Sequence, residues 1–144
     1  MPTITNTVDI NASPDDVWAV LADLPATRYW LTGVAAARMD GDIRVCQMAD
    51  GQEVHEKISE VSAERRSYRF EHLQVPLPVR RSGGTFTVTS GPEPDTATVI
   101  LTSTFEPLDP TSVEPVTGMI HGAFQQSLNT LRRYVEEKLP WDAV

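Results

Sequence analysis

Apolar and polar residues alternate along residues 3–10, TITNTVDI, the period of a strand with one buried face. The period then changes. In NASPDDVWAVLADL, residues Val17, Trp18, Val20, Leu21 and Leu24 recur at helical spacing. Ser13 suits the N-cap, Pro14 the first helical position, and Asp15 and Asp16 the positive end of the helix. Pro25 closes that helix, and ATRYWLTGV predicts a short helix or loop carrying Tyr29 and Trp30. From about residue 34 to 108 the chain reads as β structure. Strands are expected at 34–39, 42–48, 52–61, 66–74, 82–90 and 96–106, with turns at Asp40-Gly41, Asp50-Gly51, VPLPV and GPEPD. Successive short strands predict an antiparallel meander. A final helical stripe runs through Val116, Met119, Ile120, Ala123, Phe124, Ser127, Leu128, Leu131 and Val135. It predicts one long helix over about 112–138, stopped by Pro140.

The predicted class is α+β: a curved antiparallel sheet of six to seven strands, two short helices after strand 1, and one long C-terminal helix. A sheet needs its apolar face covered, and here a single helix must cover it. A curved sheet wrapped around one helix leaves room for an internal cavity. The 144 residues suggest a single domain spanning 1–144. A formal net charge of −8 argues against nucleic acid and against anionic membrane surfaces as partners. Uncharged runs are too short to insert in a bilayer, and MPTITNTVDIN lacks the features of a signal peptide. With the single Cys46, no intrachain disulfide is possible, so a cytoplasmic location is expected. One cysteine and the scattered His55, His72 and His121 make no zinc pattern, and motifs for phosphate loops and hydrolase triads are absent. Neither metal nor cofactor is expected.

The hairpin RVCQMADGQEVHEKI, residues 44–58, puts a carboxylate among hydrophobes: Glu56 shares a strand face with Val54 and Ile58. Two registers are open. A two-residue Asp50-Gly51 turn pairs Val45 with Glu56 and collects more apolar residues on one face, but leaves Glu56 without a partner. A three-residue loop, with Gly51 left-handed as a bulge, pairs Arg44 with Glu56 and Cys46 with Val54. The second register is favoured because a buried carboxylate can then stay charged. In both, Glu56 points inward, either as a structural partner of Arg44 or as an acid exposed to a cavity. His72 shares a face with Phe70 and Tyr68, as a core residue or a cavity residue. His55 falls on the opposite face from Glu56, and His121 lies on the last helix near the expected mouth. Tyr29 and Trp30 fit core packing or a cavity wall. Arg80 and Arg81 read as a solvated basic turn, with a cationic pair that meets an acidic ligand as the alternative, and Cys46 reads as a small apolar residue.

The ordered motifs SPDDVWAVLADL…YW, GDIR, DGQEVHEKISEV, RRSYRF, VPLPV and STFEP, followed by the long helix, resemble the START/Bet v 1-like (SRPBCC) superfamily. Within it, the resemblance is to the bacterial polyketide cyclase/dehydrase-like group, over about residues 5–138. It implies a helix-grip fold with a deep, mostly apolar cavity. The family's pocket acid falls on Glu56, its G-x-x-R arginine on Arg44, the following strand's pocket side on Phe70 and His72, and its cavity-facing helix positions on Met119, Ala123 and Ser127. Where the family often has a tyrosine after PLPV, this chain has Ser82 followed by Gly83-Gly84, which predicts a locally larger cavity.

The resemblance implies a bulky hydrophobic or aromatic small molecule as ligand. Trp30, Tyr68, Phe70, Ser82, Gly84, Met119, Ala123 and Ser127 are the expected lining. In the enzymatic form, a cofactor-independent cyclase or dehydratase, Glu56 and His72 handle protons while Arg44 orients Glu56 or holds a carbonyl oxygen. Glu56→Gln is then expected to abolish turnover and leave the fold intact. The alternative is a non-catalytic carrier, sequestering protein or sensor of a lipid or hydrophobic metabolite. The chain is expected to be a monomer or homodimer.

Overall fold

The computed structural model describes residues 1–143. Strand β1 (Thr3–Ile10) buries every second residue, as its alternation requires. Helix α1 (Pro14–Ala22) follows, with the Ser13 hydroxyl accepting from the Asp16 amide at 3.1 Å and Val17, Trp18 and Leu21 buried. A 3-10 turn (Leu24–Ala26) leads into the single-turn helix α2 (Thr27–Trp30). Six strands come next: β2 (Val34–Asp40), β3 (Ile43–Met48), β4 (Glu53–Ser62), β5 (Ser67–Gln74), β6 (Val79–Ser90) and β7 (Ala97–Pro107). The long helix α3 (Val113–Glu137) closes the chain order. Seven strands form one antiparallel sheet in the order β1-β7-β6-β5-β4-β3-β2. This is the helix-grip arrangement, a meander whose first strand returns to its last.

β6 begins at Val79, three residues before the expected start. Pro76 and Pro78 favour extended backbone, and β7 runs far enough to supply partners, with Val79 opposite Pro107. α3 ends at Lys138, whose left-handed backbone (φ 59°) caps the helix ahead of Pro140. The C-terminal segment then folds back: the Trp141 indole donates to the carbonyls of Arg28 and Val34, at 3.1 and 2.9 Å, and its amide donates to Tyr29. These bonds tie the tail to α2, the element that carries Trp30.

The core lies between α3, α1 and the concave sheet face, built around Trp30, Tyr68, Phe70, Phe86, Leu128 and Leu131. On α3 the buried positions are Val116, Ile120, Ser127, Leu128, Leu131 and Val135. At 3.6 residues per turn, Met119 falls about 120° from the centre of this stripe and Ala123 about 80°. Met119 is accordingly 51 % exposed and does not face the cavity as expected. Ala123, about 40° closer to the centre of the stripe than Met119, sits at its edge and borders the cavity.

Candidate functional site

The β3–β4 hairpin closes in the bulged register: Arg44 pairs with Glu56 and Cys46 with Val54. Gly51 carries φ 92°, a left-handed value that glycine adopts without steric penalty. Asp50 helps by accepting from the Gln52 amide at 2.9 Å. The register sends Arg44, Cys46, Val54 and Glu56 to the concave face. On the next strand, His72 stands directly opposite Glu56. Three neighbouring strands thus bring an arginine, a carboxylate and an imidazole into one inward row.

Arg44 and Glu56 are 1 % and 4 % exposed. Arg44 Nε donates to Glu56 Oε1 at 3.0 Å, and its Nη1 donates to Tyr68 Oη and to the Leu24 carbonyl, both at 3.4 Å. Burial penalises the Arg44 charge, but Tyr68 and Glu56 outweigh that penalty and hold the guanidinium above its ordinary value. The second carboxylate oxygen, Oε2, lies 3.6 Å from His72 Nε2. His72 Nδ1 is 2.6 Å from Ser82 Oγ. In the neutral tautomer protonated at Nε2, Nδ1 accepts from the Ser82 hydroxyl and the ring N–H faces Glu56; in the other tautomer Nδ1–H donates to Ser82. Burial pushes His72 below the usual histidine range, partly countered by Glu56, so this ring is neutral at neutral pH. Burial, with Glu56 beside it, pushes the Cys46 thiol up to about 11, which keeps it protonated and unreactive.

The lowered His72 value has a consequence for stability. As pH falls, the unfolded chain takes up this proton before the folded one. The stabilisation is therefore complete above about pH 6.5 and is lost as pH falls through that value toward the lower folded one. Melting temperatures measured from about pH 8 to 5 should drop more steeply for the native protein than for His72→Gln, whose side chain cannot titrate. Parallel profiles would mean that His72 is not held neutral by the fold.

Glu56, His72 and Arg44 border an interior cavity of about 180 Å³ between the sheet and α3. Its remaining wall is largely apolar: Trp30, Leu31, Met48, Val54, Phe70, Val75, Leu77, Phe86, Leu101 and Phe124. The exposed Ala123 and Pro76 also line it and mark where it meets the surface. Of the expected residues, Trp30, Phe70, Ala123 and Ser127 line this space together with Glu56, His72 and Arg44. Tyr68 lies behind it, fully buried, with its phenol engaged by Arg44; burial pushes its pKa above the ordinary tyrosine value and keeps it a phenol. Ser82 backs His72 from a separate surface groove lined by Leu73, Gln74, Arg80 and Arg81. Gly84 enlarges nothing: a Cβ there would stand 2.8 Å from the Thr102 carbonyl oxygen and 2.9 Å from the Phe70 ring. The absence of that Cβ lets Phe70 lie against β6, so the aromatic ring takes the space expected to be empty. Phe86 was legible as an inward position, two residues beyond Gly84 on the same strand face, but its place on the cavity wall was missed.

Away from the cavity, His55 is half-buried and contacts Glu53, and His121 is exposed. Arg80 and Arg81 are exposed, but they lie at the start of β6 and not on a turn, and Arg81 pairs loosely with Glu106 on β7. Tyr29 stacks on Tyr134 with ring centres 5.7 Å apart and takes no part in the cavity. Among the described residues no group of three His, Cys, Asp or Glu side chains is placed to hold a metal ion, and no helix is long and apolar enough to cross a membrane.

A family model described as polyketide cyclase / dehydrase and lipid transport matches residues 1–136. No curated protein matches the chain by sequence. Among solved structures, the protein XoxI from Bacillus cereus superposes with a TM-score of 0.87 at 24 % identity, covering 96 % of this chain and 98 % of that one. A START superfamily protein from Mycobacterium smegmatis gives 0.79 at 13 % identity, covering 94 % and 98 %. The di-domain ARO/CYC BexL from the BE-7585A biosynthetic pathway gives 0.83 at 17 % identity, covering 94 % of this chain and 47 % of that one. At these identities the likeness establishes the START fold.

Proposed function

Because the chain belongs to the polyketide cyclase / dehydrase and lipid transport family, we propose that its cavity binds a hydrophobic or aromatic small molecule and transfers a proton on it through Glu56. The observation that carries this reading is the Glu56 carboxylate itself, set in an apolar wall with Arg44 behind one oxygen and a neutral histidine beside the other. Carboxylates placed this way are suited to general acid–base work. Likeness in fold to an ARO/CYC protein supports cyclisation or dehydration as the reaction class.

In such a reaction Glu56 takes a proton from the carbon beside a ketone. The resulting enolate closes on a second carbonyl of the same molecule, and Glu56 returns its proton to the alkoxide formed. With its proton on Nε2, His72 turns an N–H toward the carboxylate and helps hold its orientation. Arg44 is a positioning residue, because the donors described for it are engaged by Glu56, Tyr68 and the Leu24 carbonyl. The wall supplies orientation by holding the flexible substrate folded. At about 180 Å³ the cavity is smaller than the usual 300–1,000 Å³ of ligand pockets. A ligand of one or two rings suits it better than the bulky one expected from the sequence.

The carrier reading shares the apolar wall but needs no chemistry at Glu56. Native mass spectrometry of protein from its own host, followed by extraction of any bound molecule, separates the two. A cyclised or dehydrated product together with its precursor is the expected result. An unchanged lipid would replace the enzymatic reading with the carrier. Ala123→Phe, which plugs the mouth, should remove the bound species in either case; retention would place the ligand outside this cavity.

A further inference from the structure

Among the described residues, the buried side-chain polar atoms with no hydrogen-bond partner belong to Asn6, Arg28, Trp30, Ser103 and Arg133. Only Trp30 among these lines the cavity. It is 1 % exposed, and its indole N–H is the unpartnered atom. The residue is held firmly: its carbonyl accepts from the Thr130 hydroxyl at 2.6 Å, and its ring meets Phe86 edge to face at 5.7 Å. Buried indole N–H groups normally find an acceptor, and this orphan belongs to a residue of the cavity wall, beside the space a bound molecule would fill.

Resting on the reading that this cavity binds a small molecule, we propose that the Trp30 indole N–H is its recognition donor, and that the ligand is a neutral aromatic carbonyl compound whose oxygen accepts from Trp30. Three features of the cavity narrow the class. The apolar wall with Phe70, Phe86 and Phe124 selects an aromatic or alicyclic body. An indole N–H only donates, so the group it meets is an acceptor. The carboxylate of Glu56 shares the same small, largely apolar space and disfavours a second anion; the acceptor is therefore a ketone or aldehyde oxygen in preference to a carboxylate.

The test compares two probes of nearly the same shape, 2-acetylnaphthalene and 2-isopropenylnaphthalene, by titration calorimetry. Water solvates the ketone better, so without a donor in the cavity the hydrocarbon should bind more tightly. The native protein is expected to prefer the ketone by roughly three- to tenfold, the worth of one net hydrogen bond. In Trp30→Phe that order should reverse, read as the ratio of the two affinities within each protein, because the smaller ring alters the wall for both probes alike. A second reading needs no variant: in the native protein the Trp30 Nε1–H resonance should move downfield with the ketone and stay in place with the hydrocarbon. Hydrocarbon preference in the native protein, or a ketone preference that survives Trp30→Phe, would overturn the proposal and leave the N–H spent on the Phe86 ring. Failure of both probes to bind would overturn the ligand-binding reading as well.

Discussion

Arg44→Met is expected to cost about 3–5 kcal/mol of folding stability, because it strands the Glu56 carboxylate in a buried site. The methionine fills much of the volume, so the loss comes from charge more than from packing. Glu56 Oε1 loses the Nε donor, Tyr68 Oη loses Nη1, and the Leu24 carbonyl loses a contact that joins the 3-10 turn to the sheet. For a domain of this size the melting temperature should fall by on the order of 10–20 °C. The same principle gives the control. Replacing both members of a buried ion pair with apolar residues is often neutral, so Arg44→Met combined with Glu56→Leu should recover most of the loss. Urea unfolding of the two single variants and the double variant measures the coupling directly. A double variant as weak as Arg44→Met alone would show that the arginine acts through packing and not through its ion pair.

Glu56→Gln should lower turnover by about 10²–10⁴-fold, the usual contribution of a general base, once a substrate is in hand. The amide keeps the shape and an acceptor for Arg44 Nε but cannot take a proton. The sequence led to the expectation of an intact fold; the burial of Arg44 adds the expectation that this change also destabilises it. The Arg44 charge is 1 % exposed and loses its counter-ion, so a loss of about 3–5 kcal/mol accompanies the chemical one. Turnover must therefore be compared per folded molecule, well below the lowered melting temperature. Under those conditions Glu56→Asp is the useful companion. It keeps the charge and withdraws it by one methylene, so it should retain more stability than Glu56→Gln while still losing rate. Native-like turnover by folded Glu56→Gln would remove Glu56 from the chemistry and leave it a structural partner of Arg44.

Both expectations meet at one row of side chains, and the row illustrates what could be read in advance. The strand alternation and the Asp50-Gly51 loop put Glu56 on the inner face whichever register formed. The choice between registers rested on the cost of an unpaired buried carboxylate, and the paired register is the one present. His72 opposite Glu56 followed from adjacent strands of a meander. Other positions were misplaced for equally local reasons. The apolar stripe of the last helix included Met119, yet the helix turns the Val116–Ile120–Phe124 line toward the sheet and leaves Met119 in solvent. Ser82 and Gly84 suggested empty space because they are small, whereas the neighbouring Phe70 and the hydrogen bond between Ser82 and His72 use that space.

The sequence by itself determined the order of elements, the antiparallel meander with one covering helix, and the inward carboxylate. Each depends on hydrophobic period, turn chemistry and the cost of burying charge, all of which act between residues close along the chain or on adjacent strands. Only the tertiary structure decided the size of the cavity, which inner-face residues border it, and which buried polar atoms have no partner in the protein. Those are properties of space between side chains from distant elements, such as Trp30 on α2, Phe86 on β6 and Phe124 on α3. A close-packed interior leaves a gap or fills it according to the meeting of those side chains in three dimensions, which no single segment specifies.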